Sequence, residues 1–152
     1  MQAAFQRKLQ SGSQYDRFFP VADLKRTDPV VMPDGDTFDT IELMAKVARQ
    51  YQADTSGIAP LMRGNSLKKT CNNIWDFWYN HCQYTPDKSG VEQLRRPLRA
   101  WADRVAGIDC DCYAIGVSTM LLNLGIPHKL RKTKYNGKAE YQHIYVVVPN
   151  GS

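Results

Sequence analysis

Asp109-Cys110-Asp111-Cys112-Tyr113-Ala114 is the stretch that decides how this chain folds. From it, Cys110, Ala114, Val117, Leu121 and Leu124 recur at helical spacing, which predicts an amphipathic helix over 110–124. Asp109 is a good N-cap, because its carboxylate can accept from a first-turn amide. Gly125 supplies the stop and Pro127 prevents resumption. Cys110 therefore falls in the first turn. Unpaired amides and the positive end of the helix dipole favour a thiolate there, and the same amides can donate to an oxyanion. Asp109 and Asp111 act in the opposite sense, since nearby carboxylates raise a thiol pKa.

Thirty-three residues beyond Cys110 stands His143, inside the β-branched and aromatic run 141–148, which reads as a strand. His143, Tyr145 and Val147 share one face; Ile144, Val146 and Val148 share the other. Asn136-Gly137 predicts a tight hairpin that joins 128–135 to 138–148 and sets Leu130 opposite His143. An imidazole held by a strand suits a base that must aim at one sulfur. Its nitrogen is expected within about 4 Å of the Cys110 sulfur. Cys112 lies about 200° around the helix from Cys110, so both thiols cannot face one site equally. Cys71 and Cys82 fall about 16 Å apart on another helix, too far for a disulfide, and read as structural. His81 and His128 read as ordinary satisfied polar residues.

The rest of the chain gives an α+β order. Residues 1–36 read as an irregular N-terminal arm, broken by Ser11-Gly12-Ser13, Pro20, Pro29 and Pro33-Asp34-Gly35, with Phe18-Phe19 and Val30-Val31 available to dock. Asp36 can cap a helix over 37–53 with Ile41, Met44, Ala45, Ala48 and Tyr51 on its apolar face. Gly57, Pro60 and Gly64 break it. Ser66 opens a second helix to residue 82, striped by Leu67, Cys71, Ile74, Trp75, Trp78 and Cys82, with both tryptophans read as core. A loop with Pro86 and Ser89-Gly90 follows, then a short helix near 97–104 that starts at Pro97. Trp101, nine residues before Cys110, is placed to roof a site.

Several pieces then fall in a familiar order. They are Ile74-Trp75-Asp76-Phe77-Trp78-Tyr79, then Cys82-Gln83-Tyr84-Thr85-Pro86-Asp87, then Glu92-Gln93-Leu94-Arg95-Arg96-Pro97. Gly107-Ile108-Asp109-Cys110-Asp111-Cys112-Tyr113-Ala114 comes next, followed by Leu124-Gly125-Ile126-Pro127 and Gln142-His143-Ile144-Tyr145-Val146. Residues from about 66 to 148 thus resemble a transglutaminase-like domain of the papain-like cysteine protease/transglutaminase superfamily. Cys112 stands where that family has a second aspartate. The resemblance implies an α+β fold over 37–152, with the nucleophile at the start of a central helix packed on an antiparallel sheet. It implies Cys110 as nucleophile and His143 as base, with Asp109, Asp111, Trp101, Gln93 and Tyr84 as site-lining candidates and no metal or cofactor. The implied activity is cysteine-dependent acyl transfer on amide bonds of a protein or peptide substrate, as a protease, deamidase or protein-glutamine acyltransferase.

The family's third catalytic residue, an Asp or Asn, follows on the strand after the histidine strand. Here the sequence runs out at Pro149-Asn150-Gly151-Ser152, and Asn150 would stand about 23 Å along the strand from His143. A domain truncated at its C-terminus is therefore expected, with the rest of the parent chain as a partner that supplies the missing strand. Two other readings compete. One is a catalytically inactive module of the same fold that binds or scaffolds. The other, a zinc site from Cys110, Cys112 and His143, lacks a fourth ligand.

Composition sets limits on partners. At 152 residues and 43% hydrophobic content, one domain with one core is expected. A net charge of +5 is modest for a nucleic-acid binder, so none is expected as a partner. Lys129, Arg131, Lys132, Lys134 and Lys138 read as solvated edge-strand charges, and Arg95, Arg96 and Arg99 as a second surface group. No run approaches the ~20 apolar residues of a membrane span. Residues 1–10 lack the apolar core of a signal peptide. With four unpaired cysteines, a cytoplasmic, reducing setting is expected.

Overall fold

The chain was analysed as a computed structural model that describes residues 7–26, 30–33, 37–85, 91–133 and 143–149. The side chains of 30–33, 37–40, 91–93, 133 and 143 lie outside that description. The elements run β1 (Val30–Pro33), α1 (Thr37–Gln50), α2 (Leu67–His81), β2 (Val91–Leu94), α3 (Pro97–Ala102), α4 (Cys110–Asn123), β3 (Lys129–Thr133) and β4 (His143–Val147). Short 3-10 turns at Ser13–Phe18, Gln52–Thr55 and Ala59–Met62 fill the connections. The result is a mixed helix-and-strand architecture with two separate two-stranded antiparallel sheets, β1–β2 and β3–β4.

Helix α4 is central and its limits are set locally. Asp109 Oδ1 accepts from the Cys112 amide at 3.3 Å, so the helix starts at Cys110 as its cap dictates. At the other end Gly125 takes φ +70°, its N–H reaches Leu122 O at 3.1 Å and the Ile126 N–H reaches Leu121 O at 2.9 Å. Those two bonds satisfy carbonyls that the last turn would otherwise leave open. The expected single apolar face is a correction, however. Cys112, Ile115, Thr119 and Met120 are buried as fully as Ala114 and Leu121, while Val117 and Leu124 are only half-buried. Helix α4 packs against α1, α2, α3 and β4, so it is apolar nearly all round, as an enclosed helix must be. Gly116 permits the contact with α2, since a Cβ there would stand 2.6 Å from Trp78 Cζ2.

Helix α2 begins where Ser66 Oγ accepts from the Lys69 amide at 3.0 Å. Ile74, Phe77, Trp78 and Cys82 are buried. Trp75 departs from the core role expected of it. It is 57% exposed and stacks on Tyr79, one turn on, with ring centroids 4.5 Å apart.

The described parts of the arm, residues 7–26 and 30–33, are less irregular than their Pro and Gly content suggests. Residues Val30–Pro33 form β1, paired with Val91–Leu94, a partner sixty residues away that local patterning cannot reveal. Phe19 enters the core, stacked on Trp101 at 4.7 Å, and Trp101 is stacked on Phe77 at 5.1 Å. The Trp101 indole N–H donates to Asp16 Oδ1 at 2.8 Å. Trp101 is therefore a buried member of α3 shared between arm and core. The arm is part of the folded body through Phe19.

The three arginines read as a basic surface group are internal ties. Arg96 donates Nε and Nη2 to the two Asp54 oxygens at 2.9 and 2.7 Å. The same buried carboxylate accepts from the Leu98 amide at 3.2 Å, in the first turn of α3. Arg95 Nε and Arg99 Nε both donate to Asp103 Oδ2, at 2.9 and 3.0 Å.

Strands β3 and β4 pair antiparallel as expected, but not in the expected register. Leu130 lies opposite Val146 and Thr133 opposite His143, three residues from the pairing that a two-residue Asn136-Gly137 turn would impose. The turn itself lies outside the described residues. The physical reason is facial. The observed register puts Leu130 on the side of Ile144 and Val146, where all three join the cluster around Met44, Ala114 and Ile115. The expected register would have put Leu130 on the opposite side of the sheet.

Candidate functional site

Cys110 sits in the first turn of α4 and is half-buried where that helix meets β4. It packs against the cluster that holds Ile144, the residue next to His143, and lines one groove with it. Its thiol donates to Asp111 Oδ1 at 3.7 Å. Of the two opposed influences on the thiol, burial and the carboxylates prevail. Burial first, then the Asp111 charge, push the Cys110 pKa up to about 12, with Asp109 adding to this and the Ile144 amide opposing it.

Cys112 faces elsewhere. It is fully buried in the cluster with Trp78 and Trp101, and its sulfur accepts from Arg95 Nη1 at 3.6 Å. Burial, aided by the Asp109 charge, pushes its pKa well up against the opposing pull of Arg95. The two thiols thus belong to different clusters, which separates two of the three groups of the zinc alternative. Among the described residues, no group of three His, Cys, Asp or Glu side chains could hold a metal ion.

His143 opens β4 opposite Thr133. Its imidazole lies outside the described residues, and so does the expected contact with sulfur. Asp109 is buried as the helix cap and Asp111 is buried beside Cys110. Tyr84 lines the same groove as Cys110. Gln93 belongs to the other sheet, opposite Val31, and its side chain is outside the described residues. Trp101 is core and does not roof this groove. His81 Nδ1 pairs with Gln10 O at 3.1 Å, and His128 pairs with Ser118 Oγ at 2.6 Å. The structural roles expected of both histidines follow from those bonds.

The groove holds about 520 Å³ and runs along β4, with Trp78, Tyr79, Tyr84 and Tyr113 opposite. Arg7 also lines it. Its guanidinium lies 3.8 Å over the Tyr79 ring, and its Nη2 donates to Cys82 O and, at 3.2 Å, to Tyr113 Oη. Gln83 Nε2 in turn donates to the Arg7 carbonyl. Burial pushes the Tyr113 phenol up to about 12 despite Arg7. Arg7, Tyr79 and Tyr113 escape a sequence reading for different reasons. Arg7 lies in a breaker-rich arm and carries no spacing signal. Tyr79 and Tyr113 sit in stretches whose helical pattern is already explained by packing.

No family model, curated protein or solved structure matches this chain. Among the described residues, no helix is long and apolar enough to cross a membrane.

Proposed function

We propose that the chain is a cysteine-dependent acyl-transfer protein with a papain-like, transglutaminase-like core, in which Cys110 is the nucleophile and His143 its base. The observation that carries the reading is the seat of the Cys110 sulfur. It lies at a helix start in a groove that Ile144 also lines, and His143 is the residue before Ile144 in β4. A thiol pushed up to about 12 is neutral at rest. It reacts as a serine hydroxyl does, giving its proton to the imidazole as sulfur attacks an amide carbonyl. The S–C bond forms, the imidazolium returns the proton to the leaving amine, and the C–N bond breaks to leave a thioester. Water or a second amine then resolves it, which makes the reaction hydrolysis, deamidation or transamidation. First-turn amides of α4 are the natural donors to the oxyanion.

Incubation with a glutamine-rich protein and a labelled primary amine tests this. Ammonia release or amine incorporation that vanishes in Cys110→Ala is the expected result. Equal turnover by wild type and Cys110→Ala overturns the assignment. The second reading, a non-catalytic module that binds or scaffolds, is favoured by the same raised thiol pKa and by Cys112 in place of the second aspartate.

A further inference from the structure

Arg7 is gripped through its backbone and its side chain together. Gln83 is buried, and both ends of its side-chain amide bind the Arg7 main chain. Its Oε1 accepts the Arg7 N–H at 3.2 Å, and its Nε2 donates to the Arg7 carbonyl. One carboxamide that pairs with both main-chain groups of a residue holds a peptide backbone whatever side chain it carries. The clamp is itself fixed. The Gln83 N–H donates to Arg104 O at 2.8 Å, and the Gln83 carbonyl accepts from the Ile108 N–H at 2.9 Å, two residues before Cys110.

The side chain has a seat of its own. The guanidinium stacks 3.8 Å over the Tyr79 ring while Nη2 reaches Cys82 O and Tyr113 Oη. A planar cation can stack and direct its in-plane N–H groups to two acceptors at once, whereas a lysine ammonium has no plane to stack. The walls of the seat are set without Arg7. The Cys82 N–H caps α2 on Trp78 O at 3.0 Å, and Tyr113 Oη donates to the Cys82 carbonyl. Tyr113 stands three residues after Cys110 on α4, about one turn, and Arg7, Tyr79, Tyr113 and Cys110 line one groove. Arg7 is half-buried and Tyr79 is 40% exposed, so the seat opens to solvent. The arm is anchored farther on, by the Gln10 N–H on Asn80 O at 2.9 Å, by Asp16 and by Phe19. A short tether of this kind presents its occupant at roughly millimolar effective concentration, so weak contacts suffice to keep the seat filled.

We infer that the seat formed by Gln83, Tyr79, the Cys82 carbonyl and Tyr113 is a binding site for an arginine residue of a peptide, with Arg7 as its tethered resident. A segment of another protein that carries arginine enters the groove by displacing Arg7. Gln83 holds its backbone, and Tyr79 with the two acceptors selects its side chain. Binding does not depend on the thiol chemistry proposed above; on that reading, the seat sets a substrate's arginine in the groove that Cys110 lines.

The test titrates the full chain with the N-acetyl N-methylamides of arginine, citrulline and lysine, followed by NMR. Arg7→Ala vacates the seat, so the arginine probe is expected to bind it about tenfold more tightly than the wild type, as when a resident is removed that stood at ten times its own dissociation constant. Citrulline has the shape without the charge and should bind about threefold more weakly than arginine, the effect of one exposed cation–π contact. Lysine has the charge without the plane and should also bind more weakly. Tyr79→Leu combined with Arg7→Ala should erase the preference for arginine over citrulline. Binding should persist when Cys110→Ala is added, which separates the seat from catalysis. A second measurement needs no variant. Hydrogen exchange at the wild-type Arg7 amide should quicken about twofold when the arginine probe stands at its dissociation constant, because the probe holds the vacated seat open. Equal binding of the arginine probe by wild type and Arg7→Ala, equal binding of arginine and citrulline, or an Arg7 amide whose exchange ignores millimolar probe would each overturn the inference and leave Arg7 a fixed internal tie.

Discussion

At the scale of single residues, the Cys110 thiol is governed by what surrounds it more than by the helix that carries it. The first turn of α4 favours a thiolate, yet burial and Asp111 outweigh it. Replacing Asp111 with Asn removes one charge that raises the pKa, so a larger thiolate fraction exists at any fixed pH below it. Alkylation of Cys110 at pH 8, located by mass spectrometry, should quicken about three- to tenfold, a tenfold gain marking each unit of pKa. An unchanged rate would mean that Asp111 has no electrostatic hold on the sulfur. The start of α4 and its cap were legible because Asp109 acts on an amide one turn away. Arg7 was not, since its value lies in Tyr79, Cys82 and Tyr113, far along the chain.

At the scale of elements, local chemistry fixes ends and distant packing fixes pairing. Gly125 shows the first. Nothing stands within 4 Å of a Cβ built there, so only its φ of +70° resists substitution. Gly125→Ala should therefore cost about 1–2 kcal/mol, the penalty of a left-handed backbone for an ordinary residue, in denaturant unfolding. A neutral result would mean that α4 ends in another way. The limits of α2 and α4 were legible for this reason, through Ser66, Asp109 and Gly125. The register of β3 and β4 was not. The Asn136-Gly137 signal is local, whereas the pairing follows the gathering of Leu130, Ile144 and Val146 around Ala114 and Ile115. Strand β1 was missed because its partner is sixty residues off and its own sequence ends in proline.

At the scale of the whole molecule, the arm and the central helix share one core. Phe19→Ala should destabilise the protein by about 3–5 kcal/mol, as loss of a buried aromatic does, measured by chemical unfolding. A cost below about 1 kcal/mol would mark the arm as an appendage. The buried thiols also set an alkaline limit. Burial pushes Cys82 from the ordinary 9.0 up to about 12, and Cys110 likewise. A raised folded pKa means that the unfolded chain loses its proton first. The stabilising contribution is complete below pH 9 and is lost as pH rises from 9 to 12. Each such thiol should tilt stability by about 1.4 kcal/mol per pH unit in that window, and Cys82→Ala should remove its share. A slope unaltered by that substitution would contradict the burial argument.

The central claim joins these scales, since it needs a residue of α4 and a residue of β4 to act as one group. The most direct measurement is the rate at which p-nitrophenyl acetate acylates Cys110 near neutral pH, followed by intact mass and peptide mapping, in wild type and His143→Ala. The account predicts a thioester on Cys110 in the wild type, formed about a hundredfold more slowly without the imidazole, the lower range of general-base catalysis. Equal rates in both proteins, or acetyl groups distributed over Cys71 and other thiols with no preference for Cys110, would contradict it.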